Sequence, residues 1–343
     1  MTYQDANAPI LIYGVNWVGD SIMSMPALQA FRKKFPDTPI SLLVKPRLVP
    51  LWEMHPVPDQ LIELEEGFSG TFRTVRNIRE KVFNKAFIFP HSFRSALLPF
   101  LAKVPERRGL PGHARDGLLT QVIKPEITHD RCHQAYEYLD LVLGQDEQSL
   151  LEPPTLHVPE RTIMSVQKSL SKLPSPSIGL IPGAARGTSK QWPFEHFIRL
   201  GRKLVKNEYG VVIFGAPGEY DLCEKIVQAI GKTAINLSGK TDFHEWAAWL
   251  KLCSSVVAND SGGMHLAAAV GTPVVALYGM TDPLRTGPLG ARSCIFQKSS
   301  VRSRDIKRQS KKAGASLTAI LPKEVFDAVE SLLASYKTTE EIL

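Results

Sequence analysis

No stretch of this chain approaches the roughly 20 consecutive apolar residues that span a bilayer, and residues 1–9 are polar, so neither a membrane-spanning helix nor a signal peptide is expected. Cysteine is scarce. Cys132, Cys223, Cys253 and Cys294 stand far apart with no Cys-x-x-Cys pair, which argues against a zinc ribbon or a disulfide framework and fits a reducing compartment. The Gly-x-Gly-x-x-Gly fingerprint of dinucleotide-binding proteins is absent, with no acid at the expected place about 20 residues on. Aromatic residues do not interleave with basic ones as they do where single-stranded nucleic acid is stacked, and no nucleic-acid partner is expected. Internal repeats and low-complexity tracts are also missing.

What remains is the composition of an ordinary globular protein. The 343 residues are 43% hydrophobic and 22% charged, enough apolar content for two cores at about 150 residues per domain. The net charge of +7 is unevenly spread, because residues 285–312 hold nine Lys or Arg against Asp305 alone. Such a segment suits an anionic membrane surface or an acidic substrate, while most of its residues are expected to be simply solvated.

Strand and helix patterns alternate through both halves. In the first, apolar runs at 9–14, 40–44 and 86–89 read as buried strands, with helices at 22–35 and 92–102. In the second, strands at 178–181, 210–214, 234–237, 255–258 and 273–278 alternate with helices at 194–206, 220–230, 243–252 and 264–270. Between them Pro153, Pro154, Pro159, Pro174 and Pro176 surround a short helical pattern at 161–173. The expected fold is α/β, with two Rossmann-like doubly wound domains facing across a cleft: residues 1–160, a linker at 161–176, and residues 177–343.

Three loops carry chemistry, each following a strand. Gly14-Val-Asn-Trp-Val-Gly-Asp20 brings one carboxylate, Asp20, to the opening of the first helix, where it either caps the helix or takes a proton from a bound hydroxyl. Pro182-Gly-Ala-Ala-Arg-Gly-Thr-Ser-Lys-Gln-Trp-Pro193 offers open backbone at Gly183 and Gly187, a hydroxyl at Thr188 and a mobile charge at Lys190, before Pro193 opens a helix. Asn259-Asp-Ser-Gly-Gly-Met-His265 passes from strand to helix, and a helix N-terminus presents free N–H groups and a positive dipole end. Gly262 and Gly263 would let an anion approach, while Asp260 and Ser261 would also serve as plain N-caps, so this turn alone leaves both readings open. Two such loops at the same ends of parallel strands would face one ligand, and a diphosphate is its natural form. His265 is a ligand-holding group or a core histidine, and Trp17 and Trp192 are cleft walls or core.

These loops, with Pro90-His-Ser-Phe-Arg-Ser-Ala96, resemble the ADP-heptose:lipopolysaccharide heptosyltransferases of glycosyltransferase family 9, in the family's order and spacing over roughly residues 9–290. The likeness is strongest to members that add the second heptose. The resemblance implies a GT-B fold, an amino-terminal domain for the acceptor and a carboxy-terminal domain for ADP-heptose. It implies an inverting transfer with Asp20 as general base, and Thr188, Lys190, Glu219, Asp260, Ser261, Gly262 and His265 as donor-binding residues. The acceptor would be the anionic inner core of lipopolysaccharide, its Kdo-lipid A heptose, met by Arg94 and Arg115 among the arginines of the first half, which also include Arg47, Arg107 and Arg108. With no Asp-x-Asp in the chain, no metal and no cofactor are expected; Lys190 and backbone N–H groups would stabilise the leaving ADP. The lipid acceptor and the basic segment 285–312 point to a cytoplasmic protein in peripheral contact with the inner membrane. The residues leave open a transferase of the first heptose or of another nucleotide-linked sugar, and a nucleotide-sugar epimerase or non-transferase binding protein with the same cradle.

Overall fold

The structure is a computed structural model that describes residues 8–125, 127–144, 150–184, 190–299 and 311–340. It divides into two compact units, Met1–His157 and Val158–Leu343.

The first unit runs β1 (Ile10–Tyr13), α1 (Val18–Lys34), β2 (Ile40–Val44), α2 (Val49–Glu53), β3 (Gln60–Glu63), α3 (Gly67–Glu80), β4 (Lys85–Ile88), α4 (Phe93–Leu101), β5 (Glu106–Gly109), β6 (Gln121–Val122) and α5 (Ala135–Leu143). Its six strands are parallel in the order β3-β2-β1-β4-β5-β6. The inner strands β1, β2 and β4 are buried along their whole length, as strands covered on both faces must be. One core joins Leu11, Leu43, Ile62, Ile78, Ile88 and Leu98. Phe31 of α1 packs edge-on to Phe87 of β4 at 5.6 Å, and full burial of such a ring contributes about 1.5–3 kcal/mol.

The second unit runs α6 (Glu160–Leu170), β7 (Ser177–Ile181), α7 (Phe194–Lys206), β8 (Gly210–Ile213), α8 (Tyr220–Ile230), β9 (Ala234–Asn236), α9 (Phe243–Leu252), β10 (Ser255–Asn259), α10 (Gly262–Ala269), β11 (Val274–Tyr278), α11 (Pro283–Thr286), β12 (Ser293–Gln297), α12 (Lys311–Thr318) and α13 (Pro322–Glu340). Its sheet is again parallel and six-stranded, in the order β12-β11-β10-β7-β8-β9. Counted from each unit's own first strand, the two orders are the same. Its core gathers Leu180, Trp192, Phe197, Val257 and Leu277 with Val325 and Val329 of α13.

Several elements depart from the sequence reading. Helix α1 begins at Val18, four residues ahead of the expected start, with Trp17 extended at the N-cap. Strands β3 (Gln-Leu-Ile-Glu) and β5 (Glu-Arg-Arg-Gly) have too little apolar pattern to be legible and form by pairing with β2 and β4. Strand β12 and helix α13 were likewise not anticipated. The helical pattern expected within the linker stretch is present as α6, which packs against α9 within the second unit. Among the described residues, no helix is long and apolar enough to cross a membrane.

Candidate active site

In each sheet the order reverses at one place, between β1 and β4 in the first unit and between β7 and β10 in the second. The loops leaving the carboxyl ends of those strands are where ligands bind in doubly wound sheets. All the quoted motifs lie on them.

In the first unit, Gly14 leaves β1 so close to β2 that a Cβ would stand 2.9 Å from Val44 Cγ1. Trp17 is 44% exposed, under the Arg47 guanidinium at 5.4 Å, and Arg47 donates to the Asn16 carbonyl at 2.7 Å. Asp20 lies in the first turn of α1, half-buried, where the helix dipole favours a carboxylate. Burial, and after it the Asp20 charge, drives the Tyr138 phenol of α5 well above its ordinary pKa, so Asp20 stands within electrostatic reach of that ring. From β4, Ser92 caps α4 by accepting from the Ser95 N–H at 3.2 Å. Arg94, exposed, donates to Thr71 Oγ1 at 3.2 Å at the start of α3. Burial pushes the Tyr13 phenol at the end of β1 up to about 12, against the nearby charge of Arg94. Asp20 and Arg94 thus follow the two strands of one switch point.

Arg115 is placed differently. It is wholly buried and donates to the Pro90 carbonyl, and a Cβ at Gly109 would come within 2.5 Å of its Nη2. Burial lowers its pKa. Its guanidinium props the loop that leads to Arg94. Arg107 is committed to the Leu118 carbonyl at 2.8 Å, and Arg108 lies over the Phe87 ring at 6.0 Å.

In the second unit the side chains converge at the heads of the β7 and β10 loops. Lys190 forms an ion pair with Asp260, and Asp260 Oδ2 also accepts from Thr281 Oγ1 at 2.5 Å. Ser261 is the N-cap residue of α10, yet its hydroxyl makes no capping bond and is buried with no partner among the described residues. Neither side chain caps the helix: Asp260 is engaged with Lys190 and Thr281, and the Ser261 hydroxyl makes no capping bond. Gly262 opens α10 and His265 is buried in its second turn, its N–H on the Ser261 carbonyl at 3.5 Å. Gly263 has a packing reason, since a Cβ there would lie 2.7 Å from Ile181 Cδ1. Glu219, after β8, closes its own turn by accepting from the Ala216 N–H at 2.8 Å. Its carboxylate lies over Gly183, where a Cβ would fall 2.1 Å from Oε1. Thr188 lies outside the described residues. Together Lys190, Ser261 and the N–H groups at the start of α10, which have no backbone partner among the described residues, form a site suited to an anion with several oxygens.

Asn259 and Thr281 were not singled out from the sequence. Asn259, fully buried, donates from Nδ2 to the Pro182 carbonyl at 2.7 Å and accepts the Trp192 N–H on Oδ1 at 2.9 Å. Thr281 follows β11, at the same end of the sheet as the loops that leave β7 and β10. Trp192 is core, its Nε1 donating to the Ile320 carbonyl at 2.9 Å. Of the basic segment, Lys298 pairs with Glu324 of α13 at 2.6 Å and Arg292 reaches the Ser335 carbonyl at 3.2 Å, while 300–310 lie outside the described residues. Among the described residues no cluster of three His, Cys, Asp or Glu side chains is arranged to hold a metal ion.

The profile of glycosyltransferase family 9 (heptosyltransferase) matches residues 71–315. The chain belongs to glycosyltransferase family 9. It is 32% identical to lipooligosaccharide heptosyltransferase 2 of Haemophilus influenzae, over 95% of this chain and 99% of that relative. To lipopolysaccharide heptosyltransferase 2 of Escherichia coli K12 it is 31% identical, over 94% of this chain and 98% of the relative. The solved structure of E. coli ADP-heptose lps heptosyltransferase II superposes with a TM-score of 0.83 at 30% identity, covering 96% of this chain and 99% of that one. This family 9 chain is accordingly a glycosyltransferase, and its paired parallel sheets are those of the GT-B class.

Proposed function

We propose that this enzyme transfers heptose from ADP-heptose to the first heptose of the lipopolysaccharide inner core, with inversion at the anomeric carbon. Asp20 takes the proton from the acceptor hydroxyl as its oxygen attacks that carbon. The bond from the anomeric carbon to the diphosphate breaks, and the negative charge passes to ADP. Lys190, the Ser261 hydroxyl and the N–H groups at Gly262 receive that charge, with no proton needed on the leaving group. Asp260 keeps the Lys190 ammonium at the head of α10. Glu219 takes the ribose hydroxyls, Thr188 adds a donor to the diphosphate, and His265 lines the sugar side. Arg94 meets the anionic acceptor, and Arg115 supports the loop that carries it. The enzyme works on the cytoplasmic face of the inner membrane, in peripheral contact with it through residues 285–312.

The observation that carries this reading is the placement of Lys190 and Asp260 as an ion pair next to Ser261, whose hydroxyl has no partner among the described residues, at a helix N-terminus. The experiment is ADP release from ADP-heptose, with and without an acceptor that bears one heptose, in wild type and Asp20→Asn. Release should depend on the acceptor, and Asp20→Asn should lower kcat by about 10²–10⁴-fold while ADP affinity stays within about twofold. Acceptor-independent release, or an Asp20→Asn enzyme of normal turnover, would overturn the reading.

A further inference from the structure

We infer that Asn259 is a positioning residue for the nucleotide, acting through Lys190; this rests on the donor-site reading given under the proposed function. Asn259 ends β10, and its one amide group holds residues ten apart on the chain that joins β7 to α7: the Pro182 carbonyl at the exit of the strand and the Trp192 N–H just before the helix. The two bonds, 2.7 and 2.9 Å long, require a donor and an acceptor on the same short side chain. Asp has no donor, Leu has neither, and Gln is one methylene too long for a site with no exposure at all.

The amide does not touch the anion site itself. Its neighbour does. Asp260 grips Lys190, two residues ahead of Trp192, so consecutive residues of β10's end hold the same short segment twice, once by its backbone and once by its ammonium. The carboxylate fixes the ammonium, while the amide fixes the backbone from which the lysine extends. Trp192 has separate anchors, with its indole on the Ile320 carbonyl and against the Phe197 ring at 4.9 Å. Loss of the amide therefore leaves the core side chain in place and releases the main chain that leads to Lys190.

ADP binding by isothermal titration calorimetry tests this, in wild type, Asn259→Ala, Lys190→Met and the double variant. Asn259→Ala should weaken ADP on the order of tenfold, as expected when a binding group is displaced by a fraction of an ångström. In the Lys190→Met background the same change should cost less than about threefold, because a residue that acts chiefly through Lys190 then has only Thr188 on the same segment left to position. The KM for acceptor should not change. Asn259→Ser, which keeps a polar group in less space, serves if the alanine variant does not fold. In either variant hydrogen exchange at the Trp192 amide should rise while amides of α9 keep their protection. ADP affinity unchanged by the substitution, or losses that multiply in the double variant, would overturn the role of Asn259 and leave the donor site standing. A wild-type protein that fails to bind ADP would overturn both.

Discussion

Exchanging Lys190 for Met separates what its ammonium does for the fold from what it does for the leaving group. Breaking a fully buried ion pair by removing one partner costs about 3–5 kcal/mol, because the remaining charge is left uncompensated. Here the lysine side chain is 16% exposed and Asp260 8%, and Asp260 Oδ2 keeps the Thr281 hydroxyl at 2.5 Å. Partial hydration and that remaining bond reduce the expected loss to about 1–2 kcal/mol, or roughly 2–8 °C in the unfolding midpoint of a domain this size. The catalytic loss is of another order. Removing a preorganised group from a developing negative charge lowers kcat by about 10²–10³-fold, equivalent to about 2.7–4 kcal/mol. The double variant Lys190→Met/Asp260→Asn removes the stranded carboxylate charge as well, so the midpoint should return most of the way while turnover does not. Thermal unfolding and ADP release at saturating donor measure the two quantities on the same samples. If Lys190→Met lost less than about fivefold in kcat, or if the double variant regained turnover, Lys190 would be only a counter-ion to Asp260.

Two further outcomes follow from the packing. Gly263→Ala places a Cβ 2.7 Å from Ile181 Cδ1 and 3.0 Å from the Trp246 ring, so the head of α10 must lift, at about 1–3 kcal/mol of stability; ADP affinity should fall with it. A destabilised protein with normal ADP affinity would show that the head of α10 does not hold the phosphates. His55, buried and accepting the Val57 N–H at 3.3 Å, has its pKa lowered to about 3, by burial first and by His157 second. The folded ring therefore stays neutral where the unfolded chain takes up a proton near pH 6.5, so its contribution is complete above that pH and is lost as the pH falls from 6.5 towards about 3. By pH 5 the loss is on the order of 2 kcal/mol. Urea unfolding at pH 7.5 and pH 5 should show this gap narrowed by that amount in His55→Gln, and an equal gap in both proteins would refute the assignment.

The inner strands were readable because a parallel strand covered on both faces has to be apolar throughout, as Ile10–Tyr13 and Val274–Tyr278 are. The outer strands were not: in Glu106–Gly109, which lies between β4 and β6, three of the four residues are charged, and the strand takes its conformation from its neighbours. The start of α1 was misplaced because its first turn, Val-Gly-Asp, has no apolar period, so Asp20 sits inside the helix and neither precedes nor caps it. The strand-end loops could be found from their glycines and hydroxyls, but the partners of those groups could not. Whether Ser261 caps its helix is decided by a backbone angle and a hydrogen bond, and Asn259 is joined to Pro182 across 77 positions of the chain. Arg94 and Arg115 look alike in sequence. One lies on the surface and the other is sealed beneath Pro90, because Gly109 and Gly112 leave room for it.

That both halves thread their strands in one order, with no repetition of sequence, bears on how such an enzyme diversifies. The framework of each half is set by apolar strands that tolerate exchange of one aliphatic residue for another, and its specificity lies in a few loops at one end of the sheet. With the boundary between His157 and Val158, recombination there passes on one complete set of loops without altering the other. On the roles proposed for the two halves, a lineage could thus take up a new acceptor while it inherits its nucleotide chemistry, and every new pairing begins from two halves that each already have their own core.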